Sequence, residues 1–238
     1  VHAETSTGVC QPMDGVGDLC RKHDCLLLLD TVTSLGGVPL YIDEWKVDLA
    51  YSCSQKGLSC PPGLGPFTMG PRAEAKMASR SGKVPNWDLD VSLLNKYWGS
   101  DRVYHHTAPV NMNFGMREAL RLLAEEGLNQ AWARHRRNAE MLWSGLEGLG
   151  LSMHVPADRR LPTLTTVRIP EGVDGKAFSQ HLLNHHGIEV GGGLGSLAGK
   201  IWRIGLLGYN STPENVNKLL NLFETELPRF SGNLAAAA

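Results

Sequence analysis

The sequence predicts an α/β protein with a larger first part and a smaller α+β second part, and three observations predict it. Apolar strand-like runs at Cys25–Leu29 and Val47–Tyr51 follow a helical pattern over residues 12–24, the alternation from which mainly parallel, helix-covered sheets are built. Both runs end in polar, reactive side chains: Asp30 after the first, Ser52 to Lys56 after the second. Near residue 127 the pattern changes to one long amphipathic stripe followed by short strands. The expected division is therefore 1–126 and 127–238.

Each element follows from local chemistry. The chain opens at Val1 without Met, and its first eight residues read as a strand end breaking into a polar loop, so a truncated start is expected. Val16, Leu19 and Cys20 share a helical face, with Pro12 near the start of that helix. Cys25–Leu29 is apolar at every position, as in a central parallel strand covered on both faces. Beyond residue 127, Leu128, Trp132, His135, Ala139, Leu142, Leu146 and Leu149 recur in alternating steps of four and three. That is the core-facing stripe of a long helix, which Gly148 and Gly150 end. Strands are expected at 163–169, 188–190 and 201–205, with a helix over Lys176–His186. A last helix has Thr212 as N-cap, Pro213 at its first position, and Val216, Leu219, Leu220 and Phe223 facing inward. The tail from Asn233 is expected to fray.

Composition narrows the function classes. The 238 residues suffice for a real core. A net charge of -1 with dispersed Lys and Arg argues against a nucleic-acid or membrane-surface partner. No apolar run approaches the roughly 20 residues that cross a bilayer. Five cysteines, all before residue 61 and without a Cys-x-x-Cys pair, argue against a disulfide framework or a zinc site. They read as small buried or half-buried residues in a reducing compartment. No signal peptide is visible, and the final Ala-Ala-Ala-Ala is no Ser-Lys-Leu-type address.

The candidate chemistry lies at strand ends, where open α/β sheets place their ligands. Asp30 ends an apolar strand, where an unpartnered carboxylate is expensive to bury, so a cationic partner is expected. Lys56 ends the next strand and faces the same crevice, with Pro61-Pro-Gly-Leu-Gly as a rigid loop to hold its stem. Arg203, in the short strand Ile-Trp-Arg-Ile-Gly, suits a two-bonded grip on a substrate carboxylate. Each residue also has a bland reading: a solvated lysine, a turn-forming aspartate, an edge-strand arginine. Adjacent His105 and His106 in an extended stretch point opposite ways and lack a third ligand, so no metal is expected there. His185 and His186 read as favourable charges at a helix C-terminus. Gly191-Gly-Gly-Leu-Gly, with no Lys-Ser/Thr after it, reads as a flexible loop.

The surrounding motifs decide between these readings. Val47-Asp-Leu-Ala-Tyr-Ser-Cys-Ser-Gln-Lys56, followed by Gly63-Leu-Gly65, resembles the lysine-site signature of the class V pyridoxal-phosphate aminotransferases. Glu4 to Gly8, Leu29 to Gly37, Tyr104 to Thr107 and Arg203 to Gly208 resemble the alanine–glyoxylate (serine–pyruvate) branch, in the same order along essentially the whole chain. The resemblance implies the fold type I of pyridoxal-phosphate-dependent transferases, with 1–126 as the remainder of the large cofactor-binding domain. It implies that Lys56 carries the cofactor covalently and shuttles protons. Thr5 would bond near the cofactor ring, Asp30 would pair with the ring nitrogen, Val32 would pack on a ring face, and Gln55 would contact the phosphate. Tyr104 and Thr107 would reach the phosphate of the neighbouring subunit in a homodimer, and Arg203 would bind the substrate carboxylate. Alanine or serine would donate to glyoxylate or pyruvate, in the peroxisome ahead of the mitochondrion. Chains of this family also carry, ahead of the segment matched here, a Ser-Gly-His piece of the phosphate cup and an aromatic residue stacked on the ring.

Two other functions compete. A cysteine desulfurase-like lyase needs a nucleophilic cysteine on a loop of the second domain, and no cysteine follows Cys60. A non-catalytic chain without a complete cofactor site could at most associate with full-length subunits.

Overall fold

The computed structural model describes residues 1–231, and the tail from Asn233 lies outside the described residues. Ala3–Glu4 (β1) and Val9–Cys10 (β2) form an antiparallel hairpin. Gly8 closes its turn at φ +76, and a Cβ there would sit 2.9 Å from Thr166 Oγ1. The Thr166 hydroxyl instead donates to Thr7 O at 2.8 Å, which ties this hairpin to the distant second half.

The first helix, Val16–Lys22 (α1), is shorter than its pattern suggests. Leu19, expected inside, is 57% exposed. The contact is made by Gly17, where a Cβ would lie 2.0 Å from Trp45 O. Backbone-to-backbone packing at a glycine leaves no apolar signature, so of the expected face only Val16 packs against the core.

Leu28–Asp30 (β3) runs parallel to Leu49–Tyr51 (β4), and Phe67–Met69 (β5) pairs antiparallel on the other side of β4. The expectation of a run buried on both faces fails here. Leu29 is buried with Met13, Val47 and Ala50, but Leu28 is 56% exposed and Cys25 and Leu26 are exposed too. β3 is an edge strand among the described residues, so only its inner face is covered.

Three helices without a sequence expectation follow: Pro71–Ala78 (α2), Val91–Trp98 (α3) and Val110–Glu126 (α4). No residue of α3 or α4 is buried, and Trp98, Val103 and Phe114 are exposed.

Leu128–Gly148 (α5) is the long helix expected from the stripe, with His135, Ala139, Leu142 and Leu146 buried, although Leu128 is exposed. Leu164–Arg168 (β6), Gly175–His186 (α6), Gly191–Gly192 (β7), Ile201–Gly205 (β8) and Pro213–Glu226 (α7) complete the chain. The third strand thus forms at 191–192 rather than at 188–190. The sheet is antiparallel in the order β6-β8-β7. Thr212 caps α7 by accepting from Asn215 N at 3.2 Å. Phe178 packs edge-on against Trp202, Phe223 and Phe230, and truncating any such buried ring costs about 3–5 kcal/mol. A smaller cluster of Ala3, Val38, Leu161 and Leu164 joins the front of the chain to this core. Among the described residues no helix is long and apolar enough to cross a membrane.

Candidate active site

β4 ends at Tyr51, and the chain turns through Ser52 to Cys60 with two buried serines setting its path. Ser52 Oγ donates to Thr31 O at 3.1 Å, and Ser54 Oγ donates to Pro61 O at 2.6 Å. Backbone bonds from Ser52 N to Pro66 O and from Ser54 N to Leu64 O complete the brace. The proline-glycine loop therefore steadies the turn through Ser52 and Ser54. Ser59 adopts φ +55, which costs about 1–2 kcal/mol for a non-glycine residue. Its N–H donates to Lys56 O at 2.9 Å, and its hydroxyl accepts from Tyr209 N at 2.8 Å.

Half-buried Lys56 lines a cavity of about 590 Å3 together with Thr5, Gln55, Glu189, Arg203 and Tyr209, within the roughly 300–1,000 Å3 of small-molecule sites. Thr5, Gln55, Lys56 and Arg203 thus meet although up to 198 residues separate them along the chain. Arg203 Nε donates to Gly192 O at 2.7 Å and Nη1 to Thr5 O at 3.3 Å. Two carbonyls aim the guanidinium and leave its other N–H groups for an anion. The glycine run is accordingly not a flexible loop: Gly191 and Gly192 form β7, paired with Arg203 and Trp202. A Cβ at Gly191 would stand 3.5 Å from Arg203 Nη2.

Asp30 and Val32 stand at the end of β3, outside that lining. Within the chain the partners of Asp30 are a backbone N–H and a phenol rather than a cation. Its Oδ1 accepts from Val32 N at 2.8 Å and its Oδ2 from the Tyr51 hydroxyl at 2.6 Å. Accepting that bond, the carboxylate holds the Tyr51 phenol above its usual range. Half-buried Cys53 feels both strand ends: burial pushes its thiol up, the Lys56 charge pulls it down, and the Asp30 charge pushes it up.

Tyr104 and Thr107 are exposed, bond to each other at 3.0 Å, and do not line the Lys56 cavity. Between them the two histidines do not diverge. His105 Nδ1 lies 2.9 Å from His106 Nδ1 with the rings perpendicular, and His105 stacks on Trp87 at 3.7 Å. That stretch lies in no strand, so the alternation expected of an extended chain does not apply.

The family model for aminotransferase class V matches residues 1–219. The chain belongs to the class V aminotransferase family. Alanine–glyoxylate aminotransferase of Oryctolagus cuniculus is 48% identical over 223 residues, 92% of this chain and 57% of that protein. The crystal structure of alanine–glyoxylate aminotransferase from Nostoc sp. superimposes with a TM-score of 0.92 at 64% identity, covering 94% of this chain and 59% of that one. Ureidoglycine–glyoxylate aminotransferase from Bacillus subtilis gives a TM-score of 0.94 at 38% identity, over 99% and 61%. The chain therefore spans less than two thirds of these class V relatives, and its architecture is that of the fold type I transferases.

Within this class V site, sequence reasoning missed Ser59, Glu189, Tyr209 and Asn210 on the cavity wall. It also took His135 for simple core. His135 is 1% exposed, with Nδ1 2.7 Å from Ala131 O and Nε2 2.9 Å from Gly208 N. A carbonyl only accepts and an amide only donates, so the ring is neutral and carries its hydrogen on Nδ1. Burial pushes its pKa below the ordinary histidine value. Arg134, paired with Glu126, donates to Gly208 O and Ser211 O, both at 2.9 Å. Together α5's two side chains hold the 208–211 segment against the lysine turn. Gly208, at φ +56, lies so close that a Cβ would meet Ser59 Oγ at 1.9 Å. Its place in Arg-Ile-Gly-Leu-Leu-Gly was the available signal; Ser59 carried none.

Proposed function

We propose that this chain contributes the lysine and the carboxylate-binding arginine of a pyridoxal-phosphate-dependent transaminase, with alanine or serine as donor and glyoxylate or pyruvate as acceptor. The observation that carries this reading is the gathering of Thr5, Gln55, Lys56 and Arg203 around one cavity in a class V family member. The donor set fits the cofactor: an amine for its aldehyde, a carboxylate for its ring nitrogen and a guanidinium for the substrate carboxylate. When bound, pyridoxal phosphate supplies the electron sink for a carbanion at the substrate α-carbon.

The chain's own residues do the rest. Lys56 Nζ, half-buried on the cavity wall, would take the proton from the substrate α-carbon and hold it for return on the far side of the substrate nitrogen. Arg203, aimed by Gly192 O and Thr5 O, holds the carboxylate and orients the bond to be broken. Asp30, oriented by Val32 N–H and the Tyr51 hydroxyl, would pair with the ring nitrogen. Val32 would cover a ring face, Gln55 would bond the phosphate and Thr5 would bond near the ring. Tyr104 and Thr107 would serve the site of a second copy in a homodimer; both are exposed and neither lines this cavity, which supports that role. The division at residue 127 belongs to the same reading, supported by the hydrophobic cluster drawn only from residues 141–230. So does a peroxisomal or mitochondrial location, which imaging of the fluorescently tagged protein in cells tests.

The experiment adds pyridoxal phosphate to the purified chain. A visible absorption band is expected, and Lys56→Ala removes it. Borohydride reduction and peptide mapping then place the label on Lys56; a label on any other lysine refutes the assignment. A wild-type chain without the band is the non-catalytic alternative.

A further inference from the structure

Away from the Lys56 cavity, the C-terminal ends of α6 and α7 bring together three side chains that the transaminase chemistry does not use. His181 and His186 lie on α6, and Glu226 is the last residue of α7. One ligand-type atom from each lies within 4.8 Å of the others, and His181 Nε2 is 2.9 Å from Glu226 Oε2. We propose that His181, His186 and Glu226 form a site for a divalent d-block cation, Zn2+ foremost, with water completing the coordination.

The geometry is close to what such an ion needs. Tetrahedral zinc with bonds of about 2.0–2.1 Å sets its ligand atoms roughly 3.3 Å apart. The widest pair therefore closes by no more than about 1.5 Å, within the reach of side-chain torsions. The site also rests on rigid supports. Phe178 of α6 packs on Phe223 of α7 with centroids 5.0 Å apart, and the His181 ring lies 5.2 Å from Phe230. Glu226 is buried, and His181 and His186 are half-buried, which leaves one side open to water. Two imidazoles and one carboxylate suit zinc and its neighbours, whereas calcium and magnesium prefer oxygen-only shells.

An ion-pair network is the competing account. Arg229 Nη1 donates to Glu226 Oε2 at 2.6 Å, so Glu226 and His181 are satisfied without a metal. That network does not explain His186, which joins the cluster with no hydrogen bond to either partner among the described residues. Arg229 is itself mostly exposed and can swing into solvent when a cation replaces it.

The test titrates Zn2+ into metal-stripped, tag-free protein by calorimetry. One ion per chain is expected. His186→Ala leaves the His181–Glu226–Arg229 contacts in place and should weaken binding at least tenfold, while His23→Ala at the surface leaves it unchanged. Arg229→Ala, which removes the competing cation, should tighten binding several-fold. With Co2+ as the probe, the wild type should show the visible bands of a low-coordinate site and His186→Ala should not. Wild-type binding no tighter than that of His186→Ala overturns the proposal. So does an Arg229→Ala variant that binds more weakly, since the cluster would then be an ion-pair network alone.

Discussion

Replacing His135 by alanine removes the one acceptor that Gly208 N–H has in a buried setting, and its cost follows from the contacts. The imidazole is fully enclosed, accepts from Gly208 N at 2.9 Å, and donates to Ala131 O at 2.7 Å. An orphaned buried amide costs about 1–3 kcal/mol, and the cavity left by the ring adds about 1–2 kcal/mol. We expect His135→Ala to lose about 3 kcal/mol, a fall of roughly 1 M or more in the urea midpoint. His135→Phe refills the space without an acceptor, so it isolates the hydrogen bond and should still lose about 2 kcal/mol. Amide exchange at Gly208 and Tyr209 should quicken in both variants. The sign of the pH dependence is also fixed. The folded pKa lies below the unfolded value, so this stability is fully present above the unfolded pKa and is lost as pH falls through the folded one. A His135→Phe protein as stable as wild type, with unchanged exchange at Gly208, would refute the tautomer argument.

Other predictions test separate parts of the structure. Burial holds His2 near a pKa of about 4 against an ordinary 6.5. Stability should therefore fall as pH drops from 6.5 toward 4, by on the order of 3 kcal/mol in all, and His2→Phe should flatten that slope in pH-dependent urea unfolding. Gly208→Ala forces a Cβ to 1.9 Å from Ser59 Oγ and 2.9 Å from Gly57 O at φ +56, so a loss of more than about 2 kcal/mol is expected; a neutral result in thermal unfolding contradicts the packing. Arg203→Lys keeps the charge but loses the planar fork. The alanine concentration that half-bleaches the visible cofactor band should then rise about 10- to 100-fold, and an unchanged value removes Arg203 from carboxylate binding.

The helices at 128–148, 175–186 and 213–226 were legible because periodicity and caps are local signals, as Thr212 and Pro213 illustrate. Lys56 and Arg203 stood out as candidates because their motifs are short and chemically constrained, and the structure brings both to one cavity. Leu19 and Leu28 were misread, since apolar character does not say which neighbour covers a side chain, and here Gly17 and the edge position of β3 decided it. α3 and α4 were not legible, because neither buries a face among the described residues and no core stripe marks them.

By itself the sequence determined the fold class and the family, and it marked Lys56 and Arg203 as the candidate reactive side chains. Only the tertiary structure decided what holds and surrounds them. Tyr51 braces Asp30, Gly192 and Thr5 aim Arg203, His135 pins Gly208 against the lysine turn, and Glu226 meets two histidines of α6. The physical reason is range: periodicity, capping and motif chemistry act over a few residues, whereas a hydrogen bond such as that between Arg203 and Thr5 joins positions that sequence spacing cannot relate.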